Sequence, residues 1–306
     1  MKYYIVRRLV LMIPIVFFVV SAVFFAFKLI PGDPAAMFAG EQASAEAIAR
    51  IRHEMGLDRP VLVQYMDYLR KLLRGDLGNS FMTGRSVAMD LKIRFGNTLR
   101  LALISTSLSA FLGISMGLIS AIKRETFVDY LLTVISLLGI STPIFWLGLL
   151  LMYVFSLKLG WLPISGNDSW RHYIMPVVVL SMVSIATILR ITRSSVLEVM
   201  GEDFVRTARG KGLGERLVIV RHVLRNALIP IVTVIGLQFG YQLGGAIITE
   251  TIFGWPGMGK LLITAVEQRD IPVVQGCLLV FSTSFVLVNL ITDLIYAVVD
   301  PKIAYS

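Results

Sequence analysis

The chain alternates between long apolar runs and shorter polar or charged segments. About 20 apolar residues are enough for an α-helix to cross the hydrocarbon core of a bilayer, and several runs in this chain reach that length. The pattern therefore predicts an all-α integral membrane protein with six transmembrane helices. The predicted spans cover the start of the chain up to about Ile30, then 98–122, 128–157, 173–191, 228–252 and 276–299.

Two breaks in the apolar pattern refine this prediction. The first run is too long for the core of a signal peptide and offers a poor cleavage site, so we expect it to remain as a span that ends at the Pro31–Pro34 turn. The third run carries Ser141-Thr142-Pro143 in its middle. Because proline lacks a backbone N–H group and clashes with the preceding turn, a kink or a helix break is predicted there.

Three parts are predicted along the chain. They are the N-terminus with the first span (1–30), a non-membrane region (31–97) and a core that holds the other five spans (98–306). Short helices are predicted near 43–55 and 60–74 in the non-membrane region. Two functions stay open for this region, a folded cap with no ligand role and a surface that contacts a solute.

The central charged segment, residues 194–227, lies between the fourth and fifth predicted spans. Gly210, Gly212 and Gly214 divide it into two short helical pieces, because glycine is unfavourable inside a helix. Apolar residues recur at steps of three or four on both pieces, which predicts an amphipathic element that docks on a partner. These residues are Phe204, Val205 and Ala208, then Leu217, Val220, Val223 and Leu224. A plain topology signal is the alternative interpretation of the same charged segment.

The net charge of +9 is unevenly distributed along the chain, and this distribution predicts the membrane topology. Basic residues concentrate at the N-terminus, after the second span and in the central charged segment. The short loops expected outside hold only Lys158, Arg171, Lys260 and Arg269. Since basic residues favour the cytoplasmic side, both termini and the central charged segment are predicted to be cytoplasmic, with residues 31–97 external. Topology accounts for the positive charge, so no nucleic-acid partner is expected.

Polar side chains inside the predicted spans are a second informative feature, because they are costly in a bilayer and usually face an interior or a water-filled path. The candidates for such a path are Gln238, Tyr241, Gln242, Glu250, Asn289 and Asp293. Alternatively, Glu250 lies at the membrane interface and Asp293 pairs with a basic residue. The fifth span also carries small residues that predict close packing against another subunit. They are Gly236, Gly240, Gly244 and Gly245.

Enzyme chemistry is not expected from this sequence. The three histidines are far apart, at His53, His172 and His222. The single cysteine, Cys277, excludes a disulfide scaffold and a Cys-rich metal site. Residues 254–260 have the spacing of a phosphate-binding loop, but Leu261 stands where a hydroxyl group would bind Mg²⁺. We therefore expect no catalytic residue, cofactor or metal in this chain.

The central charged segment resembles the coupling loop, often called the EAA loop, of the membrane subunits of ATP-binding-cassette importers. The resemblance rests on residues 202–209, 211–213 and 221–230, and it is closest to the peptide and nickel branch of that family. Many other importers have Glu-Ala-Ala where this chain has Arg206-Thr207-Ala208, and Arg225 stands where proline is common. The Pro31–Pro34 turn, the corners at 56–60 and 75–78, and the turn at 254–259 resemble the same branch.

This resemblance implies a permease subunit that forms half of the translocation pathway for a dipeptide, oligopeptide, glutathione or similar solute. The implied partners are a second homologous permease subunit, two cytoplasmic ATPases that bind ATP and Mg²⁺, an external solute-binding protein and the lipid bilayer of the bacterial inner membrane. Arg206, Arg209 and Arg221 are expected to meet acidic or backbone acceptors in a groove of the ATPase. The full set implied to couple to the ATPase is Glu202, Asp203, Arg206, Thr207, Ala208, Arg209, Gly212, Arg221 and Asn226.

Two alternative functions stay open. A nickel or metal-chelate permease would share the same motifs, because it belongs to the same branch. An ATP-independent secondary transporter would be expected to contain inverted repeats, and the two halves of this sequence show no such relationship.

Overall fold

A computed structural model describes residues 2–29, 33–39 and 43–299 of the chain. The described residues form helices joined by short loops. The helices are α1 (Lys2–Leu29), α2 (Pro34–Ala39), α3 (Ala45–Glu54), α4 (Val61–Leu73), α5 (Val87–Ile122), α6 (Phe127–Ser141), α7 (Ile144–Leu151), α8 (Arg171–Met200), α9 (Asp203–Gly210), α10 (Glu215–Leu217), α11 (Arg225–Gly245), α12 (Ile247–Ile252), α13 (Met258–Glu267) and α14 (Ile271–Val299). Two π-helical stretches, Met152–Lys158 and Val218–Leu224, continue α7 and α10.

The helices confirm the all-α membrane architecture. Five stretches are long and apolar enough to cross a bilayer: Val10–Leu29, Val87–Ile122, Arg171–Met200, Glu215–Gly244 and Ile271–Thr292. A sixth crossing is reached when Phe127–Ser141 and Ile144–Lys158 count as one broken span, bent by 99°. The cytoplasmic placement of both termini stays a prediction.

The break in the third span falls where the sequence predicts it. Helix α6 ends at Ser141, and α7 begins at Ile144 with Pro143 in an extended conformation at its N-cap. Proline tolerates this position because the first helical residues have no intrahelical acceptor for an N–H group. Because of the bend, α7 packs against the first turns of α8, where Leu147 and Leu151 lie near Met175 and Val179.

Helix α5 is longer than the span predicted at 98–122. Its 36 residues correspond to roughly 54 Å, which exceeds a hydrocarbon core of about 30 Å. Val87 and Leu91, on its first turns, are buried in a cluster that includes Met258 and Cys277. The helix therefore continues through the predicted boundary at residue 98, and its outer end packs on α13 and α14.

A stripe of small residues joins α5 to α8. The residues repeat every four positions and are all buried: Ser105, Ser109, Gly113, Gly117 and Ala121. A Cβ atom placed on Gly117 would lie 2.6 Å from Cβ of Thr192, and one on Gly113 would lie 2.7 Å from Cβ of Ile188. Only residues without bulky side chains permit the two backbones to approach this closely.

Two glycines of the fifth span, Gly236 and Gly240, lie against another helix of the same chain. A Cβ atom on Gly236 would lie 2.1 Å from the hydroxyl oxygen of Thr292, and one on Gly240 would lie 3.1 Å from the Phe285 ring. Both glycines therefore let α11 pack on α14, which corrects the expectation that they face another subunit. Gly244 differs from them, because open space surrounds its Cβ position.

The external region predicted at 31–97 is anchored to the bundle by polar and aromatic contacts. Tyr65 of α4 hydrogen bonds to Ser21 of α1 at 2.6 Å, and its ring lies 5.2 Å from that of Phe24 at a tilt of 54°. Nearby, a hydrogen bond from the guanidinium of Arg52 lowers the pKa of the Asp33 carboxyl. Helices α3 and α4 lie close to the positions predicted for them.

Candidate functional site

The central charged segment begins on the last two turns of α8, and its next helix, α9, ends at a glycine. Asp203 lies in its first turn, where a carboxylate interacts favourably with the free N–H groups of the helix. At the other end, the N–H groups of Lys211 and Gly212 bond to the carbonyls of Thr207 (3.0 Å) and Arg209 (2.9 Å). Gly212 has a φ of +79°, a left-handed conformation that glycine adopts at little cost. The predicted glycine break is therefore a helix terminus.

An ion pair bridges this glycine break. Arg209 donates from Nε to one oxygen of Glu215 at 3.1 Å and from its terminal nitrogen to the other at 2.7 Å. This bidentate contact joins the end of α9 to the start of α10. Arg209 therefore has an ion-pair partner inside the segment while its side chain stays 39% exposed, and its contact with an ATPase remains a prediction.

The inner face of the segment is apolar and buried. Val205 and Ala208 of α9 pack in one cluster with Val218 and Val223, together with residues of α5, α8 and α11. Ala208 is only 5% exposed, so its side chain faces this cluster, which corrects the expectation that Ala208 contacts a partner. The cluster fixes the segment to the inner ends of three long helices.

The outer face of the segment is exposed and carries most of the predicted coupling residues. Those that are exposed are Glu202, Asp203, Arg206, Thr207, Arg209, Gly212, Arg221 and Asn226. Three large apolar side chains are exposed as well, namely Phe204 (42%), Leu217 (44%) and Val220 (54%). The segment therefore presents charged groups and apolar groups together, a composition that suits a protein interface.

A second ion pair lies beside the segment and was missed by the sequence analysis. The guanidinium of Arg193 on α8 donates to both oxygens of Asp129 on α6, each at 2.8 Å. Asp129 is buried and also accepts hydrogen bonds from the Ser120 hydroxyl and the Glu125 backbone N–H. The carboxylate thus links α5, α6 and α8 at the end of the bundle from which the central charged segment emerges.

Three of the predicted path residues meet at one cavity of about 420 Å³ between α7, α8, α11 and α14. Its lining residues are Ile144, Leu180, Val183, Ser184, Leu237, Gln238, Tyr241, Gln242 and Phe285. Ser184 had not been singled out from the sequence. It brings the predicted residues together, because it bonds to both Gln238 (3.2 Å) and Gln242 (2.9 Å).

We call the connected hydrogen bonds at this cavity the polar relay, formed by Thr106, Gln242, Ser184 and Gln238. Thr106 of α5 donates to Gln242 of α11 at 3.2 Å, and the two bonds of Ser184 complete the chain across to α8. Thr106, at one end of the relay, is 8% exposed, whereas Gln238, at the other end, is half-buried. The relay thus combines a buried end on α5 with an accessible end at the cavity.

Two of the other predicted path residues, Asn289 and Glu250, are not among the residues that line the cavity. Asn289 is half-buried on α14 and is not among the residues that line the cavity. The side chain of Asp293 falls outside the part of the chain that the structure describes. Glu250, on α12, is completely buried within the protein and is not among the residues that line the cavity.

Glu250 instead caps helix α13. One carboxylate oxygen accepts the Thr98 hydroxyl at 2.6 Å, and the other accepts the N–H groups of Gly259 (2.7 Å) and Lys260 (3.2 Å). Buried carboxylates are stable only with such hydrogen bonds. The glycine-rich turn that has the spacing of a phosphate-binding loop therefore offers these N–H groups to a side chain of its own chain.

Comparison with protein families covers almost the whole chain. Residues 113–305 match the family described as "Binding-protein-dependent transport system inner membrane component". Residues 1–102 match the family of N-terminal regions from the same kind of membrane component.

Similar proteins extend over the full length. The chain is 45% identical over 303 residues to the glutathione transport system permease protein GsiC of Escherichia coli (strain K12), with 99% of both chains covered. The protein of the same name from Salmonella typhimurium (strain LT2) is 44% identical with the same coverage.

Solved structures share the fold at low sequence identity. A chain of the MetNI methionine ABC transporter is 15% identical with a TM-score of 0.56, and the match covers 69% of this chain and 96% of that one. An amino acid ABC transporter solved with histidines is 17% identical with a TM-score of 0.52, covering 74% and 96%. At these identities the likeness concerns the fold alone.

Proposed function

The chain belongs to the family of binding-protein-dependent transport system inner membrane components, and we propose that it forms half of the translocation pathway of an importer for small peptides of the glutathione type. It is a multi-pass inner-membrane subunit of an ATP-binding-cassette importer and not an enzyme. The identity of 45% over 99% of the chain to glutathione permeases supports this substrate class.

The proposal that ATP hydrolysis is coupled to transport is based on the central charged segment. Its buried face packs on three long helices, and its outer face is exposed with both charged and apolar side chains. A partner that grips the outer face would therefore move α5, α8 and α11 together, because the buried cluster transmits displacement as a packed unit. In our proposal the partner is a cytoplasmic ATPase, and closure of two such ATPases on ATP drives the movement.

The proposed translocation path for the solute is based on the cavity. Two of the helices that line it, α8 and α11, are helices on which the segment packs, and it gathers Gln238, Tyr241 and Gln242. In this scheme the helices rock between inward-open and outward-open states, and ATP biases the equilibrium through its different affinity for the two states. An external solute-binding protein delivers the peptide, and a second homologous permease forms the other half. ATP and Mg²⁺ bind to the ATPases.

Reconstitution tests this function. The chain is expressed with its second permease, ATPases and binding protein, and [³⁵S]glutathione uptake into proteoliposomes is measured with and without ATP. We expect uptake only in the presence of ATP and of every component. Uptake by the chain alone without nucleotide would identify a secondary transporter and reject the proposal.

A matched pair of substitutions tests whether the exposed outer face of the central charged segment binds the ATPase. Phe204→Asp places a charge on the exposed face of α9, and Met66→Asp likewise replaces an exposed apolar side chain by a charged one, on α4. We expect Phe204→Asp to reduce recovery of the ATPase with the purified chain, and Met66→Asp to leave that recovery unchanged. Equal recovery in both variants would argue against docking at this face.

A further inference from the structure

The hydrogen bonds of the polar relay all run in one direction. Thr106 donates to the carbonyl oxygen of Gln242, the amide of Gln242 donates to Ser184, and Ser184 donates to the carbonyl oxygen of Gln238. Each carbonyl oxygen in the relay is therefore occupied by a donor. The relay ends at the amide nitrogen of Gln238, which makes no hydrogen bond to any residue that the structure describes.

The surroundings of this free amide define what it could bind. Gln238 is half-buried and lines the cavity, so its two N–H groups are held where a ligand can reach them. The cavity walls are uncharged, and most of the lining side chains are apolar. A carboxylate brought here would lose water without gaining a cation, which is costly, whereas a neutral carbonyl needs only an N–H donor.

We propose that Gln238 binds a backbone carbonyl of the transported peptide, with Ser184 and Gln242 as positioning residues that hold its amide toward the cavity. This inference rests on the proposed function. A volume of about 420 Å³ falls in the range of pockets that hold small molecules. Because every peptide has backbone carbonyls, such a site recognises the peptide unit and tolerates varied side chains.

The test compares three substitutions in the reconstituted importer. Gln238→Met keeps the size of the side chain and removes its donors, and Ser184→Ala removes the group that orients the amide. Thr233→Val is the control, since the hydroxyl of Thr233 lies on the same helix and bonds only to the Ile229 carbonyl of its own turn. The probe is glutathione, at a concentration that saturates the binding protein. The quantity measured is the amount of glutathione taken up per ATP hydrolysed. Recovery of the intact complex is confirmed first for each variant.

We expect Gln238→Met to lower glutathione uptake per ATP by about three- to tenfold, the range that corresponds to one lost hydrogen bond. Ser184→Ala should give a smaller loss in the same direction, and Thr233→Val should match the unsubstituted chain. Uptake per ATP that is unchanged in Gln238→Met would overturn the inference while leaving the proposed function intact. Absence of ATP-driven uptake with the unsubstituted chain would overturn both.

A fourth variant distinguishes a carbonyl from a carboxylate as the bound group. Measured at a pH high enough to ionise the introduced carboxyl group, Gln238→Glu also removes the donors and adds a negative charge, which would repel a carboxylate far more than a neutral carbonyl. We expect its uptake per ATP to lie within a few-fold of Gln238→Met. Suppose instead that both complexes are intact, that Gln238→Glu abolishes uptake and that Gln238→Met retains some uptake. That result would identify a carboxylate as the bound group and overturn the carbonyl assignment.

Discussion

Arg193 and Asp129 are 64 positions apart in the sequence, yet they form a bidentate ion pair in which both nitrogen–oxygen distances are 2.8 Å. The pair joins α8 to the first turn of α6, and the Asp129 side chain is only 4% exposed. Charged groups that are paired and hydrogen-bonded in this way hold helices in one relative position. The pair therefore fixes the helix that leads into the central charged segment.

Removing one partner of this pair should destabilise the chain. Asp129→Asn leaves the Arg193 guanidinium without its counter-ion, and we expect a loss of about 1–3 kcal/mol, limited by the partial exposure of Arg193. The measurement is thermal unfolding of the detergent-purified chain. A double-mutant cycle with Arg193→Met should show that the two losses are not additive. Strict additivity would mean that the two side chains do not interact.

Gly212 should resist substitution because of its backbone conformation. Its Cβ position is open, so the cost of Gly212→Ala comes from the φ of +79°, at roughly 1–2 kcal/mol. We expect ATP hydrolysis to continue while glutathione uptake falls, because the two helical pieces lose their alignment. Gly210→Ala is the control, since Gly210 has open space and lies at the end of the helix without a positive φ. A Gly212→Ala importer with normal uptake would argue against this role.

The contact between α5 and α8 should be sensitive to a single methyl group. Gly117→Ala would place a Cβ atom 2.6 Å from Thr192, so one of the helices must shift, and we expect a loss of about 1–3 kcal/mol. Gly96→Ala, on the same helix with open space at its Cβ position, should be neutral or slightly stabilising. Thermal unfolding of the two variants side by side makes the comparison, and equal melting temperatures would contradict the packing described here.

The carboxylate of Glu250 should be required for the fold of the outer turn. Glu250→Gln keeps the shape but replaces one acceptor oxygen by an N–H₂ group that faces a hydroxyl or backbone donors, at a cost of about 1–3 kcal/mol. Glu267→Gln makes the same change at an exposed position of α13 and should be neutral. Proteolysis of residues 254–261 in membranes provides the measurement. Equal protection in both variants would show that the capping contact contributes little.

The sequence predicts the apolar architecture well, because span length and proline position depend on local chemistry. The break at Pro143 and the division of the central charged segment at its glycines follow from residues that stand at those points. The faces of the helices are harder to predict. On α9 the sequence groups Phe204, Val205 and Ala208 as one apolar set, and periodicity alone did not show that Ala208 is buried while Phe204 is exposed.

Contacts between distant residues are the part that sequence reasoning could not supply. Glu250 lies 152 positions from Thr98, and no local pattern connects them. A polar residue near the end of a span is compatible with a path, an interface or a buried cap, and only the fold distinguishes them. The same holds for Gly236, whose neighbour Thr292 belongs to the last helix.

The Arg209–Glu215 bridge has a consequence for assembly. The ion pair already fixes α9 relative to α10 in the isolated chain. A subunit that binds there therefore contacts a preorganised surface. Little conformational entropy is then lost on association, which favours tight binding from a modest contact area. Concentrated salt weakens such exposed pairs, so the complex should come apart more readily as ionic strength rises.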